Sequence, residues 1–147
     1  MKIVSNSLIE TKEVAEKFLQ YLRANQNNNG ATVIGMEGDL GSGKTTLTKS
    51  IADILGINET ITSPTFVIQK SYEIKNQNFP WKKLIHIDAY RLSGGEELLK
   101  LGFSDEMNNI ENLIIVEWPE LVKSALPENI INIFCGFIGE DTRAYKW

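Results

Sequence analysis

Gly38-Asp39-Leu40-Gly41-Ser42-Gly43-Lys44-Thr45, followed by Thr46, is the stretch from which the architecture of this chain can be read. The stretch reads as the phosphate-binding loop G-x-x-x-x-G-K-S/T, set between an apolar run and a helical pattern, the context that loop needs. Its glycines reach backbone angles that other residues resist, so successive N–H groups can turn inward around phosphates while the next helix aims its positive end at them. Lys44 then reaches the outer phosphates and the Thr45 hydroxyl is left for a metal. Gly38, Asp39, Leu40, Gly41, Ser42, Gly43, Lys44, Thr45 and Thr46 are therefore candidate cofactor-binding residues, for a nucleoside triphosphate with magnesium.

Working outward, Thr32-Val33-Ile34-Gly35-Met36 reads as a buried strand that delivers the chain into the loop, and Leu47, Ile51, Ile54 and Leu55 continue as a helix that Gly56 can close. Upstream, Ser7 and Glu10 resemble a capping box. Val14, Ala15, Phe18, Leu19 and Leu22 follow at helical spacing, predicting a helix from about residue 8 to 24, with Asn25 to Gly30 as a polar loop. Downstream, Ser63-Pro64 marks a turn. Phe66, Ile68, Tyr72 and Ile74 then alternate as in a half-exposed strand, with Lys70 the polar exception.

Leu84-Ile85-His86-Ile87-Asp88 and Leu113-Ile114-Ile115-Val116-Glu117 are two further buried strands, each ending in a carboxylate. Ser93 and Glu96 suggest a second capping box, for a helix stopping near Gly102. Pro119 suits the first turn of a helix through about Ala125, and Ile130 to Phe137 with Thr142 to Trp147 read as closing strands. The whole reads as one α/β domain over residues 1–147: a P-loop NTPase-like three-layer fold around a central mixed, largely parallel sheet.

Ligands of open α/β sheets bind beyond the carboxyl ends of the strands, which puts Asp88 and Glu117 near the phosphate loop. Magnesium takes one or two protein oxygens with phosphate oxygens and water, so Thr45 with one acid suffices. The other acid is free to orient a nucleophile, because phosphoryl transfer is catalysed mainly by positioning and charge stabilisation. The residues alone leave the two roles open. Thr65 is either a switch threonine reporting the terminal phosphate or a capping hydroxyl at a strand start. Arg91 is either a transition-state cation or a surface partner of Glu96 or Glu97. His86 reads as a packed or edge residue rather than a base, and Trp118, like Tyr90, either covers the site or packs in the core.

At 147 residues, 42% hydrophobic and 23% charged, the chain has length for one core and no room for a second catalytic domain. Met1 to Asn6 lacks the apolar core of a signal peptide, and no run approaches the roughly 18 residues of a membrane span. Cys135, alone among Ile133, Phe134 and Phe137, reads as a buried, inert thiol that fits a reducing cytoplasm. A net charge of −4 without a basic cluster argues against a large nucleic-acid footprint, so any RNA is expected to be held by another protein.

GDLGSGKTT at 38–46, SPTF at 63–66, HIDAYRL at 86–92 and VEWP at 116–119 together resemble the TsaE (YjeE) family of small bacterial P-loop ATPases, in order from Glu10-Thr11 through Leu126-Pro127. The resemblance implies a part in making threonylcarbamoyladenosine beside the anticodon of tRNA. It implies action on a TsaB and TsaD pair, whose turnover ATP hydrolysis would support, without performing the transfer. By motif, Thr45 and Glu117 would hold magnesium, Lys44 the phosphates and Asp88 the catalytic water. Thr65 would be a switch position, Thr11 would lie near the base, and Trp118 would join the cofactor site. The chain departs from the family pattern in ending at Trp147, shortly after Arg143, where many relatives continue, so no partner contact is assigned to a tail.

Other readings are weaker. A small-molecule kinase would carry an arginine-rich lid, and a GTPase an Asn-Lys-x-Asp segment, neither of which is visible. A nucleotide-gated binding module with incidental hydrolysis is the alternative from another class.

Overall fold

In the computed structural model, which describes residues 1–147, the apolar run before the phosphate loop is strand β2 (Thr32–Glu37) and the helix after it is α2 (Lys44–Ile54). The first five residues of β2 are buried because it lies mid-sheet, between parallel neighbours β5 (Asn112–Glu117) and β6 (Ile131–Phe137). A strand covered on both faces needs continuous apolar sequence, which is what this run supplies. Gly56, with φ 72°, ends the turn after α2 in the left-handed conformation expected of it.

The other two acid-tipped runs are β4 (Lys83–Asp88) and β5, which pair in parallel so that Asp88 stands opposite Glu117. β3 (Gln69–Glu73) adds antiparallel to β4. At the other side β7 (Arg143–Lys146) runs antiparallel to β6, and β1 (Lys2–Ser5) antiparallel to β7. The sheet order is β1-β7-β6-β2-β5-β4-β3, parallel in its four central strands and antiparallel at both margins. This is the central mixed sheet expected, with its parallel pairing in the four strands that include those carrying the phosphate loop and both acids.

Alternation along the central strands builds two cores. Leu84, Leu113 and Ile115 face α2 and α1 (Leu8–Ala24), where Phe18, Leu19, Leu47 and Ile51 are fully buried. Ile85, Ile87, Ile114 and Val116 face the opposite layer of α3 (Gly95–Lys100), α4 (Phe103–Met107) and a 3-10 segment at Pro119–Ala125. The result is the expected three layers. Each such side chain contributes about 1.5–3 kcal/mol by leaving water. No helix is long and apolar enough to cross a membrane.

Local departures have local causes. Ser7 Oγ accepts the Glu10 amide at 3.1 Å, but Glu10 reaches back to the Asn6 amide rather than to Ser7, one residue earlier than a capping box requires. The alternation from Phe66 does not begin a strand. The Pro64 carbonyl accepts from the amides of Val67 and Ile68, Ile68 turns to φ 67°, and Phe66 is left 82% exposed, so pairing starts only at Gln69. After Ser93 it is Glu97, not Glu96, that takes the Ser93 amide, at 2.8 Å. Gly102, at φ 89°, breaks the helix where expected, and the chain resumes as the unforeseen α4. The opening residues, read only as lacking a leader, form β1.

Candidate functional site

The phosphate loop is pressed against the closing strands, and that is why its glycines are needed. At Gly38 (φ 148°) a Cβ would collide with the Cys135 carbonyl and the Ser42 hydroxyl; at Gly43 (φ 101°) it would stand 2.6 Å from the Tyr145 hydroxyl. Gly43 heads α2 with no side-chain cap, so the first-turn N–H groups are open toward an anion. Lys44 is buried. Its ammonium donates to the carbonyls of Gly38 and, at 3.3 Å, Asp39, and lies 4.3 Å from the centre of the Trp118 ring.

Asp88 and Glu117 are only 5% and 4% exposed at the C-terminal ends of adjacent strands. Both Asp88 oxygens are engaged: the Tyr90 amide donates to Oδ1 at 3.0 Å and the Thr65 hydroxyl to Oδ2 at 2.7 Å. Glu117 Oε2 lies 2.9 Å from His86 Nε2, inside the sheet. Trp118, at φ 58°, turns out of β5, meets the Tyr90 ring at 5.3 Å and also touches the second core, so it both borders the site and packs.

A cavity of about 240 Å³ gathers Asp39, Leu40, Gly41, Gly43, Lys44, Thr45 and Thr46 with Thr65, Asp88, Glu117 and Trp118. Three sequence-selected residues lie outside its lining. Gly38 sits beneath it, holding Lys44 through its carbonyl, and Ser42 is buried in the loop with no partner for its hydroxyl. Thr11 lines a neighbouring cavity of about 370 Å³, with Asn6, Ser7, Glu140 and Tyr145; Thr46 and Arg143 border both spaces. Thr65 lies at neither a strand start nor a surface cap; it faces Asp88 across the cavity. Arg91 meets neither Glu96 nor Glu97, and its guanidinium stacks over the Phe66 ring at 4.5 Å.

Two site residues escaped sequence reasoning. Arg143 reaches the cavity because β7 folds back beside β6, and it donates to the carbonyls of Gly139, Glu140 and Thr142. Ser63 lines the cavity and bonds Thr65 at 2.7 Å, though only its turn was legible. Cys135 lies under the loop, where burial pushes its thiol up to about 12, so it is inert as expected. The donor set suits a small hard cation: the Thr45 hydroxyl and Glu117 carboxylate offer oxygens to one cavity.

A parallel strand entering a glycine loop that opens a helix, faced by acids on neighbouring strand ends, defines the P-loop class of α/β proteins. The family model for the threonylcarbamoyl adenosine biosynthesis protein TsaE matches residues 5–144. The tRNA threonylcarbamoyladenosine biosynthesis protein TsaE of Rickettsia felis is 34% identical over 96% of this chain and 75% of its own length, and that of Bacillus subtilis 36% identical over 91% and 76%. The crystal structure of Bacillus subtilis YdiB superposes with a TM-score of 0.72 and 29% identity, covering 99% of this chain and 82% of that one. The chain belongs to the TsaE family.

Proposed function

We propose that this chain is a magnesium-dependent ATPase serving threonylcarbamoyladenosine modification of tRNA next to the anticodon, acting on a TsaB–TsaD complex to support its turnover rather than performing the transfer. The observation that carries the reading is the single cavity in which Lys44 and Thr45 face Asp88 and Glu117. Membership in the TsaE family supports the pathway.

The open amides of α2 bind the phosphates, and the Lys44 ammonium exchanges its carbonyl partners for phosphate oxygens. The neighbouring cavity, which shares Thr46 and Arg143 with the first, takes the base and sugar beside Thr11. Thr45 and Glu117 hold magnesium, which when bound screens the phosphate charge and helps the leaving oxygens carry theirs. Asp88, held by Thr65 and Tyr90, orients the attacking water and accepts its proton. The acidic balance of the chain agrees with reaching tRNA through partners.

The test is the rate of magnesium-dependent ATP hydrolysis, alone and with purified TsaB and TsaD. A low basal rate that rises strongly with the pair is expected. No response to the pair would sink the partner-coupled reading, and no hydrolysis in either condition would sink the ATPase.

A further inference from the structure

We propose that His86 is a positioning residue for Glu117: its Nε2–H holds Oε2 and leaves Oε1 as the oxygen available to a cation. The proposal rests on the metal role given to Glu117 above and extends it one residue deeper into the sheet.

His86 is 0% exposed, in the middle of β4, where Leu84, Ile85 and Ile87 are apolar. An apolar residue would satisfy that position by packing alone. The imidazole leaves Nδ1 buried without a partner, and it makes one polar contact, Nε2 to Glu117 Oε2 at 2.9 Å. A local choice that packing does not favour points to work done elsewhere. The proton belongs on Nε2, because a bare nitrogen there would set its lone pair against those of the carboxylate.

The geometry places this contact behind the site. His86 stands opposite Ile115, two residues before Glu117 along β5, and it does not line the cavity that Glu117 borders. One strand thus supplies both a member of the acidic pair, Asp88 at the cavity, and, two residues earlier on the same face, the imidazole that fixes the other member, Glu117. With one oxygen occupied and the carboxylate plane set by the ring, Glu117 presents a single, oriented donor. Partners of this kind behind a metal ligand typically change metal affinity about 10–100-fold when removed.

His86→Gln and His86→Asn separate positioning from packing. Gln can set an amide N–H where Nε2 stood, whereas Asn sets it nearer the vacant Nδ1 position, out of reach of Glu117. ADP binding is measured by calorimetry on the full chain, first without divalent cation and then across a magnesium titration. The expected result is a half-saturating magnesium concentration raised about 10–100-fold by His86→Asn and within about threefold of wild type for His86→Gln, with metal-free ADP affinity unchanged in both. Equal magnesium dependence in the two variants would overturn the proposal. Wild-type ADP binding indifferent to magnesium would instead overturn the metal role of Glu117 on which it rests.

A second measurement needs no variant. His86 is the chain's one histidine, so its ring nitrogens give a single pair of resonances in nitrogen-15 spectra. The proton is expected on Nε2, and the Nε2 signal should move when magnesium and ADP are added together. A ring protonated at Nδ1 alone would rule the proposal out even if His86→Asn failed to fold.

Discussion

Thr65 Oγ1 donates to Asp88 Oδ2 across 2.7 Å, joining the turn after Ser63-Pro64 to a strand-end acid 23 residues away. Since the single Thr65 proton goes to the carboxylate, the 2.7 Å contact with Ser63 must be a donation from Ser63, giving a relay Ser63 to Thr65 to Asp88. Thr65→Val keeps the branched shape and removes the donor. A hydrogen bond to a charged group contributes about 1.5–3 kcal/mol. The ATPase rate should therefore fall about tenfold to a hundredfold while ATP affinity stays within about threefold. A rate at or above wild type would mean that the contact restrains Asp88 instead of orienting it.

Asp88→Asn tests the acid itself. The amide oxygen can still accept from the Tyr90 amide, so the local turn survives while the capacity to take a proton from water is lost. Hydrolysis should drop about 10²–10⁴-fold with ATP binding retained, the range that proton acceptance by a positioned group contributes. The same variant divides the two functional readings. A folded, ATP-binding Asp88→Asn chain that still supports full modification activity with TsaB and TsaD would make hydrolysis incidental and favour the nucleotide-gated binding module.

Legibility followed the range of the interaction. β2, β4 and β5 could be read because their burial is written in consecutive apolar residues, and the phosphate loop because its constraints lie within eight positions. The alternation from Phe66 to Ile74 misled because Ile68, left-handed at φ 67°, is turned by a carbonyl of Pro64, which periodicity does not register. β1 is four residues long with one fully buried, too little pattern to stand out. The partners of His86 and Thr65 lie 31 and 23 residues away, and Arg143 reaches the cavity only through the pairing of β6 with β7. The acids could be nominated from strand ends; what holds each of them depends on register, and register is a property of the assembled sheet.

Cys135 gives a pH prediction with a defined sign. Burial raises its thiol from the ordinary 9.0 to about 12 in the folded chain, so at pH 8 about one molecule in ten thousand carries the thiolate that alkylating reagents attack. Iodoacetamide should leave the native chain unlabelled at pH 8 and label it readily in denaturant. Because the folded value is the higher, the thiol's contribution to stability is complete below pH 9 and is lost as pH rises toward 12. Rapid labelling without denaturant would show that the face of β6 beneath the phosphate loop opens in the native state.

Lys44→Ala separates nucleotide binding from folding. The ammonium holds only loop carbonyls and the Trp118 face, contacts that an uncharged side chain can lose without leaving a buried partner charge. A cation–π contact of this kind is worth about 0.5–1 kcal/mol when exposed and about 2 when desolvated. At about 2–4 °C per kcal/mol for a chain of this size, the free variant should melt within several degrees of wild type. Saturation at about a hundred times Kd stabilises a protein by about 2.7 kcal/mol, so wild type should gain roughly 5–10 °C with ATP and magnesium. The variant should gain almost none of this, since the lost charge faces the phosphates. An undiminished shift would assign phosphate binding to the backbone amides of α2 alone and leave Lys44 to later steps of the reaction.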